Sequence, residues 1–164
     1  MENIKIDDDE ILASWDAEAL YPSIALGKCI EVIKNLLNND ETLSTRTPLL
    51  PNDIIALLNL CLSTSDFVYN DTHHTAEDSG PIGLSIMVII AQIWMNHTVT
   101  EANKIATERN IAIPRSEIVY MDDINGILRQ NQEGNAHIQY AECLSQVDPR
   151  LKFTCEIEDN KKLP

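Results

Sequence analysis

The stretch that most constrains this chain is Glu117 to Leu128, which reads E-I-V-Y-M-D-D-I-N-G-I-L. A short apolar run meets two adjacent carboxylates, and a second apolar run follows. Ile118, Val119 and Tyr120 favour a strand, and Ile124, Ile127 and Leu128 favour its partner. The reading is a tight hairpin with Asp122 and Asp123 at its tip, where Asp tolerates turn geometry. One Asp suffices for a bare turn. Two side by side repel; taken alone the pair reads as an ordinary exposed turn, and its alternative is a site where a divalent cation, bound by carboxylate and phosphate oxygens, offsets that repulsion.

A second carboxylate stands in a matching setting far upstream. Ile11 to Trp15 reads as a strand, Asp16 ends it, and Tyr21 follows five residues later. Carboxylates brought from separate strands to one sheet edge are what two-metal phosphoryl transfer requires. Distant strands can be neighbours in a sheet, so the long separation of Asp16 and Asp122 is no obstacle.

The chain has 164 residues, enough for one domain with a core. Its net charge of −14 argues against a simple basic nucleic-acid-binding module, because phosphate contacts need Lys and Arg. Asp7-Asp8-Asp9-Glu10 reads as a solvated run, and residues 1–10 as a polar, frayed N-terminal segment. Cys29, Cys61, Cys143 and Cys155 show no C-x-x-C spacing and read as buried, reduced thiols of an intracellular protein, nuclear or cytoplasmic. His73-His74 lacks the further ligands of a zinc site. No calcium-loop pattern D-x-[DN]-x-[DN]-G with its distal Glu is present. The N-terminus does not read as a signal peptide, and Ile82 to Met95 is too short to span a bilayer.

Along the chain, a strand is expected at 11–16, then a helix beginning near Pro22-Ser23 with Ser23 as its cap and running to about Asn38. Residues 39–50 read as a loop. Pro51 opens a helix ending near Leu62. Phe67 to Tyr69 and Thr72 to Ala76 form a hairpin around Asn70-Asp71. Ser79-Gly80-Pro81-Ile82-Gly83 is a turn, and a long helix runs from about Leu84 to Arg109 with a first half apolar nearly all round, hence central. The 117–129 hairpin, a helix at 136–147 and a strand at 151–157 complete the order. The fold class is α+β: an antiparallel sheet with helices packed on one face.

Together these strings resemble a reverse transcriptase palm, and specifically that of Penelope-like retroelements, over residues 11–164. S-W-D-A-E-A-L-Y-P-S-I at 14–24 is similar to the family's first catalytic motif. L-L-N-L-C-L-S-T-S-D-F-V-Y-N at 57–70 is similar to the segment leading into its second motif. G-P-I-G-L-S at 80–85 resembles its P-M-G-S-P-L-S turn, with Leu84-Ser85 where the family usually has Ser-Pro. Y-M-D-D at 120–123 matches the third motif, and D-P-R-L-K-F-T-C-E-I-E at 148–158, ending in Leu163-Pro164, resembles a later family string.

The resemblance implies a partial palm without fingers and thumb, and roles for single positions. Asp16 and Asp122 are implied as metal-bridging carboxylates, Asp123 as a third and more peripheral acid, and the Ala17 carbonyl as a further metal ligand, for two Mg²⁺ or Mn²⁺ ions. Tyr21 is implied to lie under the incoming sugar and exclude a 2′-hydroxyl; on its residues alone it reads first as ordinary packing. Gly83 is implied to let backbone approach the nascent base pair, besides being a helix-entry turn. Lys152 is either a triphosphate contact or a solvated side chain. Tyr120 and Met121 are implied beneath the primer end. The implied partners are an RNA template, a DNA primer, deoxynucleoside triphosphates and the finger and thumb regions, with no membrane. The alternative is a decayed or domesticated palm acting as an interaction module.

Overall fold

The 9-residue strand β1 (Glu10–Glu18) lies inside a four-stranded sheet and alternates strictly from Ala13 onward: Ala13, Trp15 and Ala17 are buried, while Ser14, Asp16 and Glu18 point the other way. The structure, a computed structural model, describes residues 6–63, 66–75, 80, 83–131 and 133–158. Met1 to Lys5, Ala76 to Ser79, Pro81-Ile82 and Leu163-Pro164, on which parts of the N-terminal, hairpin, turn and C-terminal expectations fall, lie outside the described residues.

The described elements in chain order are β1, α1 (Leu20–Ser23), α2 (Leu26–Asn38), α3 (Leu43–Arg46), α4 (Pro51–Ser63), β2 (Asp66–Tyr69), β3 (Thr72–Thr75), α5 (Ile86–Glu108), β4 (Ser116–Tyr120), β5 (Asp123–Arg129), α6 (Ala136–Val147) and β6 (Lys152–Ile157). The chain divides into two compact units, residues 1–20 with 95–164, and residues 21–94. No described helix is long and apolar enough to cross a membrane.

The first unit holds the four-stranded sheet, in the order β4-β5-β1-β6, with every pairing antiparallel. One face is covered by helix. The Trp15 indole donates to the His137 carbonyl of α6 at 2.9 Å and meets the Tyr140 ring edge-on, with centroids 4.9 Å apart. The buried Tyr140 hydroxyl hydrogen-bonds with Asn103 Oδ1 on α5 at 2.7 Å and with Glu117 Oε2 on β4 at 3.2 Å. Asn103 also donates to Glu117 Oε1 at 3.1 Å. This network ties both helices to the sheet from the apolar side and leaves the other face open. The expected α+β sheet with helices on one face is what the structure shows.

The second unit contains α2, α4, the first half of α5 and the β2–β3 hairpin. Asn70 and Asp71 both take positive φ at the hairpin turn, the geometry Asn and Asp tolerate best. Helix α2 packs against α4.

Some expectations need correction. β1 begins at Glu10, within the supposedly solvated run. Glu10 is buried and takes a bidentate contact from Arg115, at 2.6 and 2.9 Å, while Asp9 pairs with Arg129 at 2.8 Å. Counter-ions a hundred residues away order this segment, and the local composition does not disclose them. Ser23 does not cap α2; the N-cap is Ala25, with no side-chain cap. The 39–50 loop includes the short α3. Helix α5 is not buried all round, since Val88 and Ile89 are exposed. Cys29 and Cys143 are buried, but Cys61 is exposed and Cys155 half-buried; none of the four is joined in a disulfide.

Two predictions follow from these anchors. Arg115 hydrogen-bonds hold the Glu10 carboxyl at about 2, well below its ordinary 4.5. A depressed carboxyl contributes stability fully above its unfolded value and loses it as pH falls through the folded one. Acid unfolding of the parent chain should therefore steepen between pH 4.5 and about 2, and Glu10→Gln should lower the melting temperature at pH 7 and flatten that slope. Separately, Tyr140→Phe should cost about 1–2 kcal/mol in urea unfolding.

Candidate active site

The open face of the sheet collects the carboxylates. In the β1–β5 ladder Asp16 lies directly opposite Asp123, and in the β1–β6 ladder it lies opposite Thr154. Tyr120 lies opposite Asp123 across β4–β5. A single row, Tyr120-Asp123-Asp16-Thr154, thus crosses the four strands. Directly opposed residues in antiparallel strands share a face with Cβ atoms about 4.5–5.5 Å apart. Asp16, Asp123 and Thr154 are exposed, and Tyr120 is 72% exposed.

The β4–β5 connection is a two-residue turn, Met121-Asp122. Met121 has φ +56°, and Asp122 is not in the positive-φ region; these are the φ signs of a type II′ turn. Glycine normally fills the first position of such a turn, and a side chain there costs roughly 1–2 kcal/mol. The turn is held by a bond outside the hairpin: the Ala17 N–H donates to the Asp122 carbonyl at 3.0 Å. The β1–β5 ladder is thereby carried into the turn, and Asp122 is docked beside the end of β1. Asp123 is accordingly not at the tip but is the first residue of β5.

The electrostatics follow from this juxtaposition. The Asp16 carboxyl is raised above its ordinary value, first by burial, then by repulsion from Asp122 and Asp123, by its hydrogen bond with Asp123 and by Glu18. Among the described residues no group of three or more His, Cys, Asp or Glu side chains is already convergent enough to hold a metal ion. The carboxylate oxygens here are of the kind that hard divalent cations such as Mg²⁺ and Mn²⁺ take as ligands, and they repel one another in the absence of positive charge.

A groove of about 410 Å³ runs along the same face, lined by Ser14, Asp16, Asp123, Asn125, Thr154, Cys155 and Glu156. Ser14, Asn125, Thr154 and Glu156 were not among the residues singled out from the sequence. Alternation offered a signal: Ser14, Asn125 and Glu156 stand two positions from Asp16, Asp123 and Thr154. It needs the register to be useful. Ile118, Asn125, Ser14 and Glu156 form the next row of the face.

Lys152 is exposed at the start of β6, opposite Glu18, one same-face row beyond Asp16 and Thr154. Ala17 is buried, its N–H engaged by Asp122. Met121 is half-buried in the turn. Tyr21 and Gly83 belong to the second unit. Tyr21 is half-buried in α1, and its carbonyl accepts from the Gly80 N–H at 3.0 Å and the Ile24 N–H at 3.3 Å. Gly83 is exposed with φ +107°, a conformation that favours glycine for backbone reasons alone.

No protein-family model matches the chain, and no curated protein does. Solved structures do. A telomerase from Candida tropicalis, in its apo form and truncated from the C-terminal domain, superposes with a TM-score of 0.63 at 13% identity over 92% of this chain and 31% of the telomerase chain. An RNA-dependent RNA polymerase of BmCPV, captured in situ at the elongation state, also gives 0.63, at 11% identity over 92% of this chain and 15% of that one. The likeness is one of fold, a palm-like α+β sheet, and the chain spans less than a third of the length of either matched chain.

Repulsion within the acidic row makes a prediction. Because the folded Asp16 carboxyl is raised, the fold loses stability as pH rises from 3.8 through the folded value. Asp16→Asn should raise the melting temperature in metal-free buffer at pH 7, by no more than about 1 kcal/mol of stability given solvent screening. The gain should vanish below about pH 3.8, the ordinary Asp value.

Proposed function

We propose that this chain is a reverse transcriptase palm that supports two-metal nucleotidyl transfer from a deoxynucleoside triphosphate to a primer 3′-hydroxyl on an RNA template. The observation that carries the reading is Asp16 facing Asp123 across adjacent strands, with Asp122 tied to Ala17, on a palm-like sheet. The Y-M-D-D string and the flanking motifs favour a Penelope-like retroelement as the source.

In this reading Asp16, Asp122 and Asp123, with the Ala17 carbonyl, hold two Mg²⁺ or Mn²⁺ ions. Bound there, the ions supply Lewis acidity, lowering the pKa of the attacking hydroxyl and stabilising the departing pyrophosphate. The protein's own residues position the reactants. Asp16 and Asp123 provide paired anionic oxygens on a rigid sheet, and the strained Met121 turn sets where Asp122 stands. Tyr120, exposed beside Asp123, offers an aromatic face to the primer terminus. Lys152 offers a cation one row away for the triphosphate. Tyr21 filters the sugar by excluding a 2′-hydroxyl, and Gly83 admits the nascent pair.

A second reading, a palm retained as an interaction module, is favoured by one observation. Leu57, Leu60, Val88 and Ile89 are exposed in the second unit, and an apolar groove of about 300 Å³ runs between α2, α4 and α5. Binding through that surface does not require the carboxylates.

Primer extension on an RNA template, with deoxynucleotides and Mg²⁺ or Mn²⁺, separates the two. The polymerase reading expects extension that Asp122→Asn reduces at least about 100-fold, the scale of losing an electrostatic group that acts in the transition state. Extension untouched by Asp122→Asn, or none by the parent chain, contradicts it.

A further inference from the structure

Gly80, upstream of α5, meets the backbone of Tyr21. Gly80 is buried, and its N–H donates to the Tyr21 carbonyl at 3.0 Å. A Cβ built on Gly80 would stand 2.7 Å from that carbonyl oxygen and 2.5 Å from Met87 Cε on the first turn of α5. Met87 is itself fully buried. The thioether end of Met87 is flexible and can give way. The Tyr21 carbonyl cannot do so cheaply, because it also accepts from the Ile24 N–H at 3.3 Å and is built into α1. Space on both sides therefore favours glycine at position 80, and φ does not: its backbone is outside the positive-φ set that includes Gly83 and Gly134.

We infer that Gly80 is a positioning residue for Tyr21: it sets the seat of the Tyr21 backbone, and through it the discrimination between deoxyribose and ribose at the nucleotide site. This rests on the reading of Tyr21 as the sugar filter. The physical reason is lever-like. A ring that excludes one hydroxyl works by sub-ångström placement, and misplacement by about 1 Å can change rates by about 100-fold. A side chain at position 80 meets both Met87 and the Tyr21 carbonyl, and the carbonyl belongs to the residue that carries the ring.

The distinction between the two contacts gives the test. The full chain is compared with Gly80→Ala, Met87→Ala, the Gly80→Ala/Met87→Ala double variant and Tyr21→Ala. The first readout is independent of catalysis: amide hydrogen exchange at Gly80 and the NMR ring resonances of Tyr21. The second is the ratio of deoxynucleotide to ribonucleotide incorporation in primer extension. The inference expects a protected Gly80 amide in the parent chain. It expects Gly80→Ala to shift the Tyr21 ring resonances and lower the ratio about tenfold. The double variant, which vacates the Met87 contact but leaves the carbonyl contact, should keep the lowered ratio, and Met87→Ala alone should not lower it.

Tyr21 resonances unmoved by Gly80→Ala, or a ratio restored in the double variant, would overturn the positioning role. An unchanged ratio in Tyr21→Ala would instead remove the sugar filter on which the inference rests. A parent chain that incorporates neither nucleotide would overturn the polymerase reading, while the Tyr21 resonances still decide whether Gly80 sets that backbone.

Discussion

The parity of β1 is the constraint on which the rest of the first unit depends. Strand side chains alternate, so placing Trp15 in the core puts Asp16 on the open face, and a one-residue slip would exchange them. Trp15 is locked against such a slip. Its indole is hydrogen-bonded to the His137 carbonyl and its ring meets Tyr140, whose hydroxyl is in turn shared between Asn103 and Glu117. The apolar half of the sheet thus specifies where the carboxylates stand. It does so from beneath, through α5, α6 and β4, without touching them.

On the open face the arrangement is electrostatically unfavourable by itself. Asp16 is pressed upward in pKa first by desolvation and then by Asp122 and Asp123, and the turn between the strands holds Met121 in a left-handed conformation. Backbone hydrogen bonds sustain both, the Ala17–Asp122 bond above all. Strain and like-charge repulsion gathered at one place are typical of functional sites rather than structural ones. Cations bound at such carboxylates would turn the repulsion into attraction, so a site costly when empty becomes stabilising when occupied. The same placement gives the face its chemistry: hard oxygen donors in the middle, an aromatic on one side, a lysine one row beyond.

Much of this was legible in the sequence because it is local. The 117–129 hairpin, the helix Ala136–Val147, the Asn70-Asp71 turn and the alternation that exposes Asp16 all follow from period and turn chemistry. The α+β sheet with helices on one face was legible from element order. What escaped was non-local. Glu10 reads as solvent-facing until Arg115 is brought to it. Thr154, Ser14 and Asn125 look like ordinary strand residues until the register aligns them with Asp16 and Asp123. The hairpin reading also put both Asp at the tip, whereas the two-residue turn takes Met121 and Asp122 and leaves Asp123 to pair with Asp16. Helix α5 carries apolar residues on every side, yet Val88 and Ile89 are not covered by the described chain. Hydrophobicity alone does not tell which face of such a helix finds a partner.

On the proposed reading the open sheet face would hold divalent cations through Asp16, Asp122 and Asp123. Titration of the ¹⁵N-labelled chain with Mn²⁺ tests it most directly, because a paramagnetic ion broadens the resonances nearest to it. The account predicts broadening that starts at Asp16, Ala17, Asp122, Asp123 and Thr154 and is lost in Asp16→Asn. Broadening that starts instead at the acidic Asp7-Asp8-Asp9 segment, or that survives Asp16→Asn unchanged, would contradict it.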